Sequence, residues 1–435
     1  MLQKAVAVIG GGPAGAFAAY LLAREGVHVD IYEPRAVEQP LVGTGERRSL
    51  CTGCAGLVQG DAARLLKRHG IIIPDEVIQT RLLGAAVYLG SESEPILVPL
   101  ENAITVYRGF GPLRQEGGSV ESFDAYLLNR AKQAGASHHR VTIAAVDLRE
   151  QAGRVTLLDC DGRQRQAHLV IGAFGHNAKL AEAITYPDSR AATLTRPVTQ
   201  NAGIREYHLG GDVVGERLNS RIHIFGNPSD SVWFAAILPK GKYISVALMG
   251  RDGDIRARDF DTFLSRPQVQ ALLGDAVSGQ AINCGCSSTI TLRSPERFMV
   301  GGENGRVVMV NIGDAGPTRP RKNGIFAALD SAERLSSALL RHGNTTSGLE
   351  EYRRYITRRY VWDNRWADTV LRLSDLVLDR SLSRWLIMGL AQGHVPILSR
   401  ATTSTIIHIV SGKDSYWRIP LNVLRETLVG QKAVI

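Results

Sequence analysis

Apolar and polar positions follow different periods along this chain, and each period predicts an element. Ala5 to Ile9 is an unbroken apolar run, short enough for a strand buried on both faces. A glycine turn comes next, followed by Ala14 to Glu25 with the spacing of an amphipathic helix and a second short run, Val27 to Tyr32. Strand, turn, helix and strand in that order open a doubly wound sheet. Asp61 to His69 predicts a helix, after a loop rich in Gly, Thr and Cys from 39 to 60 that is expected to face a ligand. Phe123, Tyr126, Leu127, Leu128, Ala131 and Ala134 recur at helical spacing and stop at Gly135, which predicts a second crossover helix. Val141 to Val146, Val155 to Leu158 and Leu169 to Gly172 alternate or run apolar, with the turn Asp161-Gly162 before the last, and predict a meander returning to the parallel sheet.

From 185 to 290 the pattern shortens to strands between turn clusters: Arg221 to Phe225, Val232 to Leu238 and Tyr243 to Met249. These predict an antiparallel sheet inserted into the first domain. Val307 to Ile312 reads as a buried strand and Asn323 to Arg341 as a helix. Beyond 350 the chain is helical and basic to Gly393, and the remainder shows no assignable period.

Composition narrows the class. At 435 residues the chain exceeds one ordinary core, and 44% hydrophobic with 21% charged residues is globular usage. No run approaches the roughly 20 apolar residues of a membrane span; Ala16 to Ala23 ends at Arg24 and Glu25. The chain enters its first strand without a secretory signal pattern, so a cytoplasmic location is expected. Five cysteines, an odd number, point to thiols or a metal site and not a disulfide framework. A net charge of +9 suits an anionic cofactor, an anionic substrate or an anionic membrane surface. The histidines form no pattern, and no H-E-x-x-H, G-x-S-x-G or P-loop is present, so hydrolase chemistry is set aside. No feature points to nucleic acid.

The strongest motif is Gly10-Gly11-Gly12-Pro13-Ala14-Gly15, a G-x-G-x-x-G between a strand and a helix. Gly10 permits the tight turn, Gly12 lets the backbone approach a pyrophosphate, Gly15 allows helix and strand to close up, and the first helical residues Pro13 and Ala14 present N-terminal dipole to phosphate. Glu33, at the end of the second strand, supplies the carboxylate expected for a ribose 2′-hydroxyl. The second motif is Ile312-Gly313-Asp314-Ala315-Gly316, after a buried strand and ahead of the helix near Gly324-Ile325. An aspartate at a strand end is placed to accept hydrogen bonds from a sugar-alcohol chain, which FAD carries and NAD lacks. FAD is the expected cofactor.

With these residues, and with Phe123-Asp124 and Leu127-Leu128 on the second helix, the chain resembles the flavoprotein superfamily of aromatic hydroxylases, geranylgeranyl reductases and flavin halogenases. The resemblance implies that Asp314 contacts the ribityl chain, that Gly324 lies by the flavin ring, and that Arg319, Arg321 and Lys322 add positive charge there. The layout looks most like the geranylgeranyl reductases, which saturate prenyl double bonds. Their Cys-Gly-type sequence is matched by Cys54-Ala55-Gly56, and their lipid-pocket motif Y-x-W-x-F-P by Phe234-Ala235-Ala236-Ile237-Leu238-Pro239, which keeps an aromatic and the proline. Phe234 and Pro239 are thereby candidate substrate-pocket residues. The superfamily's G-A-D-G segment stands here as Gly172-Ala173-Phe174-Gly175, so the electron donor is open between NAD(P)H and ferredoxin or another protein.

Cys51 and Cys54 are candidate catalytic residues, Cys54 by position as a proton donor. Alternatively Cys51-x-x-Cys54 and Cys284-Gly-Cys286, read as loop pairs beside the flavin, bind zinc or an iron–sulfur cluster. Arg353, Arg354, Arg358, Arg359 and Arg365 interleave with Tyr355, Tyr360, Trp362 and Trp366, a pattern suited either to a peripheral membrane contact or to a solvated cationic face. The expectation is an α/β protein: a three-layer ββα FAD-binding, Rossmann-like domain over 1–84, 116–184 and 291–345, an antiparallel-sheet substrate domain over 85–115 and 185–290, and a mainly helical region over 346–435. The expected activity is reduction of a carbon–carbon double bond in an apolar or lipid substrate. The alternatives are a flavin monooxygenase or halogenase and, from another class, an electron-relay subunit of a membrane complex.

Overall fold

The computed structural model describes residues 5–35, 54–89, 94–109, 122–186, 193–251, 253–277, 280, 282–321, 323–367, 369–370, 404–405 and 415–429. Its centre is a six-stranded sheet in the order β19 (Met299–Gly301), β20 (Val307–Asn311), β12 (Leu169–Gly172), β1 (Val6–Ile9), β2 (Val29–Tyr32), β8 (Ser137–His139). Every pairing is parallel except β19 with β20. Because successive side chains of a strand point to opposite faces, each strand of a covered sheet serves two cores. Val6 and Val8 join the core under the helices Pro13–Ala23, Phe123–Gln133 and Gly324–His342, while Ala7 and Ile9 join Ile143, Val146, Leu148, Val155 and Leu157 on the other side. That second cover is a four-stranded sheet, β11 (Gln164–Ala167), β10 (Arg154–Asp159), β9 (Ile143–Gln151) and β13 (Ile184–Thr185). The three layers are therefore sheet, sheet and helix.

The helix Pro13–Ala23 is buried over its whole length, contrary to the amphipathic reading of Ala14 to Glu25. It lies between the parallel sheet and both other long helices, so it has no solvent face. The helix Phe123–Gln133 begins where Ser122 Oγ accepts the Ala125 N–H at 3.1 Å, an N-cap of the usual kind.

The largest sheet has seven strands, β18 (Ile282–Arg293), β14 (Val198–His208), β17 (Tyr243–Gly250), β16 (Val232–Lys240), β15 (Arg221–Gly226), β5 (Gly84–Tyr88) and β6 (Ile96–Pro99). All neighbours are antiparallel except β15 with β5. Ile237, Ile244 and Val246 face the helices Gly211–Leu218, Ala257–Leu264 and Pro267–Leu273. Ala236, Leu238 and Ala247 turn the opposite way. A small sheet of β3 (Leu57–Val58), β7 (Ile104–Val106) and β4 (Ile78–Arg81) lies in the connection between the two larger ones.

Two sequence expectations change here. Cys284 and Cys286 lie within strand β18, opposite Glu206 and Ile204 of β14, and not in a loop. The stretch without a period contains a helix, Ile419–Val429, whose Ile419 packs with Tyr416 and Ala367 against Trp233. Within the basic segment, the helix Glu350–Ile356 passes into the π-helical turn Thr357–Trp362. Tyr355 and Tyr360 donate to buried Asp330 at 3.0 and 2.6 Å, tying that turn to the helix Gly324–His342. Residues 371–393 of the expected helical stretch lie outside the described residues. Among the described residues no helix is long and apolar enough to cross a membrane.

Candidate functional site

Strand β1 delivers the glycine loop to the carboxyl edge of the parallel sheet, where doubly wound folds bind ligands. Gly10 has φ +105°, and a Cβ there would overlap the Ala173 carbonyl, so both conformation and space require glycine. A Cβ on Gly15 would overlap the Gly10 carbonyl. A Cβ on Gly12 would meet nothing within 4 Å, because Gly12 caps the helix Pro13–Ala23 and faces a cavity. The helix N-terminus is thus open to an anion, with Pro13 in the first turn sacrificing no hydrogen bond.

Glu33 ends β2 and is buried. Its carboxylate accepts the Gly11 N–H at 2.8 Å and the Arg35 side chain at 2.7 and 2.9 Å. Burial alone would raise its pKa, but the Arg35 guanidinium and the two backbone N–H groups of Gly11 and Arg35 outweigh it and hold the group ionised below its ordinary value. Tyr32, Glu33, Pro34 and Arg35 all line the cavity.

Gly313 and Asp314 follow β20. Gly313 has φ +61°, and its Cβ position lies 2.9 Å from the Ala14 Cβ, so the second motif is closed against the first helix. Asp314, Gly324 and Ile325 line the same cavity as Gly12. Arg108 joins them from the end of β7. It donates to Asp124 at 2.7 Å and to the Cys54 sulfur at 3.4 Å, while Gly109 N–H donates to the other Asp124 oxygen at 2.6 Å. Burial disfavours the Arg108 charge, but Asp124, Cys54 and Asp314 together more than compensate and keep it above its ordinary value.

The cavity holds about 770 Å³ and runs from Tyr32 and Thr142 past Gly12 and Asp314 to the seven-stranded sheet. That wall is apolar: Ile222, Ile224, Phe234, Ala236, Leu238 and Met249. Thr289 and Thr291 of β18 add hydroxyls, and both hydrogen-bond His176, at 3.1 and 2.9 Å, which pins the loop after β12 to the large sheet. Phe174 lines the cavity and also leans into the core between the two stacked sheets, into space that the missing Cβ of Gly172 leaves open.

Of the residues singled out from sequence, Gly10, Gly12, Pro13, Ala14, Glu33, Cys54, Phe234, Gly313, Asp314, Gly324 and Ile325 line this one cavity. Gly15 lies behind the loop. Pro239 does not line the cavity; its carbonyl accepts from Thr105 at 2.7 Å and joins β16 to β7. Cys51, Lys322 and the Cys284 side chain lie outside the described residues, and among those described no cluster of His, Cys, Asp or Glu suits a metal. Arg35, Arg108, His176 and Trp233 line the cavity but belong to no motif of the sequence; of their partners, Glu33 and Asp124 are motif positions. The residues present fit an extended dinucleotide: an open helix N-terminus at Gly12, a carboxylate at the β2 end, and Asp314 further along the same cavity.

Residues 8–37 match the family described as NAD(P)-binding Rossmann-like domain. No curated protein matches the chain. Among solved structures, the chain is similar to a geranylgeranyl bacteriochlorophyll reductase-like protein from Thermoplasma acidophilum, with a TM-score of 0.63 at 17% identity over 98% of this chain and 97% of that one. It is similar to the flavin-dependent halogenase CmlS, with a TM-score of 0.61 at 17% identity over 99% of this chain and 71% of that one. A third likeness is to the flavin-dependent brominase Bmp2, with a TM-score of 0.61 at 14% identity over 98% and 99% of the two chains. The fold of this chain is the one those proteins share.

Proposed function

We propose that the chain is an FAD-dependent oxidoreductase that saturates a carbon–carbon double bond of an apolar, prenyl-type substrate. The observation that carries this reading is that one cavity joins the dinucleotide loop to the apolar face of the seven-stranded sheet. FAD is preferred over NAD because Asp314 faces that cavity, where a ribityl chain offers hydroxyls to accept.

Bound there, FAD supplies a two-electron redox centre. The Gly12 turn and the helix N-terminus hold its phosphates, and Glu33 and Asp314 orient its sugars. Ile222, Ile224, Ala236 and Leu238 exclude water from the apolar chain of the substrate. Cys54, 3.4 Å from the Arg108 guanidinium, is the candidate to protonate the carbon that does not receive hydride. Phe174 stands where the superfamily's acid would be, which favours a protein electron donor such as ferredoxin over direct NAD(P)H. Trp362 and Trp366 are exposed at 59% and 56%, and Trp417 at 39%, with Arg365 and Arg418 over two of these rings at 5.5 and 4.9 Å; an anionic membrane surface as the source of a lipid substrate suits this set.

The purified protein, reconstituted if necessary, should show flavin absorption bands, and their absence overturns the reading. Anaerobic incubation of chemically reduced holoprotein with a prenyl substrate should give saturated product. Strict dependence on oxygen would instead support a monooxygenase or a halogenase.

A further inference from the structure

Three side chains of the cavity wall form one hydrogen-bonded unit. His176 Nδ1 lies 3.1 Å from Thr289 Oγ1, and its Nε2 lies 2.9 Å from Thr291 Oγ1. All three residues line the cavity. Thr289 is exposed, His176 is half-buried and Thr291 is only 4% exposed, so exposure falls along the unit toward Thr291. That inner end is held in place, because the Thr291 carbonyl accepts the Arg321 N–H at 2.9 Å.

A neutral imidazole carries one N–H and one lone pair, and each threonine brings one O–H. Two of these protons make the two bonds of the unit, and one threonine O–H is left over. Neither hydroxyl has another hydrogen-bond partner among the described residues. The imidazole tautomer decides which threonine keeps the spare proton. With the proton on Nδ1, His176 donates to Thr289 and accepts from Thr291, and the spare O–H belongs to exposed Thr289, where water satisfies it. With the proton on Nε2, the spare O–H belongs to buried Thr291, where an oxygen in the cavity can accept it. An unpaired buried donor is costly. The ligand-free protein therefore favours the first tautomer, and an acceptor oxygen beside Thr291 favours the second.

The proposed chemistry says which oxygen. Hydride adds to a double bond where the charge it brings can be carried away. An isolated alkene has no such place, whereas a conjugated carbonyl takes the charge on its oxygen, where a fixed O–H donor stabilises it. We propose that Thr291, backed by His176, donates a hydrogen bond to a carbonyl oxygen of the substrate, so that the bond saturated is the one conjugated to that carbonyl. The proposal rests on the reading of this cavity as the site of double-bond reduction. Hydride reaches the β-carbon, the alkene electron pair shifts toward the carbonyl oxygen against the Thr291 O–H, and the α-carbon then takes a proton, for which Cys54 is the candidate. Both electrons come from the reduced cofactor, which is left oxidised, and solvent returns the proton to Cys54.

The probes are geranylacetone, a ketone with an isoprenoid chain; farnesene, an isoprenoid hydrocarbon without oxygen; and pseudoionone, which becomes geranylacetone when the bond next to its carbonyl is saturated. Geranylacetone with an isotope-labelled carbonyl, added to FAD-loaded full-length protein, should show its carbonyl infrared band at lower frequency than in hydrocarbon solvent. Imidazole nitrogen NMR of histidine-labelled protein should show His176 passing from Nδ1–H to Nε2–H on binding. T291V should remove the infrared shift and weaken geranylacetone binding about fivefold or more, read by tryptophan fluorescence, with farnesene binding and flavin content unchanged. T291S should keep the shift. Anaerobic reduced holoprotein should convert pseudoionone to geranylacetone and leave the isolated double bonds intact. No binding of geranylacetone, an unshifted carbonyl band, an unchanged His176 tautomer, equal losses of ketone and farnesene binding in T291V, or reduction of isolated bonds ahead of the conjugated one overturns the proposal. The wild-type infrared and NMR measurements decide it even where T291V does not fold. If no flavin binds, the FAD reading fails separately, and the same two measurements on the flavin-free protein still decide whether Thr291 holds a carbonyl.

Discussion

The carboxylate of Glu33 accepts the N–H of Gly11 at 2.8 Å, so the end of the second strand directly holds the glycine loop at the end of the first. The same carboxylate holds Arg35, and all of it borders the cavity.

E33Q should therefore weaken FAD binding by about 10- to 100-fold, the usual range for losing hydrogen bonds to a charged group. Fluorescence titration with FAD measures it. The folded pKa of Glu33 lies below its ordinary value of 4.5, so its stabilisation is complete above that pH and is lost as pH falls through the lower folded value. Wild-type stability should drop on acidification below 4.5, and the E33Q variant should lose that part of the pH dependence in thermal melts.

The glycines of the loop divide into two roles that substitution separates. G12A adds a methyl to open space, so stability should change by less than about 1 kcal/mol while FAD affinity falls sharply. G15A drives a methyl into the Gly10 carbonyl and should destabilise the fold by about 1–3 kcal/mol or more. Melting curves without FAD, paired with flavin content, distinguish them; similar effects in both assays would contradict the assignment.

Arg108 and Asp124 form an almost fully buried pair, and removing one partner strands the other. R108M should cost about 3–5 kcal/mol of unfolding free energy, with R108M/D124N recovering part of it. Denaturant unfolding of both variants provides the check, and a double variant no better than R108M would argue against coupling.

The exposed Trp362, Trp366 and Trp417 should carry the full chain onto vesicles containing phosphatidylglycerol, but not onto neutral phosphatidylcholine vesicles, in co-sedimentation. Binding should weaken with salt and fall in W362A/W366A, whose flavin content should stay unchanged. Equal sedimentation with both vesicle types would remove the electrostatic part of the explanation.

What was legible in the sequence is what contiguous residues decide. Gly10 to Gly15 is a turn whose conformation and phosphate chemistry are local, and Glu33 sits one helix and one strand later, a separation the βαβ unit itself imposes. Gly313-Asp314 was readable for the same reason, as a strand end followed by a helix. The strands β14 and β18 show no apolar alternation in sequence, because polar residues such as Gln200, Asn201, Ser287 and Thr289 suit a half-buried ladder.

By itself, then, the sequence determined the dinucleotide loop, its acid and the aspartate of the second motif, because hydrogen bonding and backbone conformation within some 30 residues specify them. Only the tertiary structure decided the rest of the cavity. Arg108 meets Cys54 and Asp124, His176 meets Thr289 and Thr291, and Arg321 meets Trp233 across 54, 16, 113, 115 and 88 residues of chain respectively. Such encounters depend on sheet register and on which face of each strand is turned inward, and no short stretch of sequence carries that information.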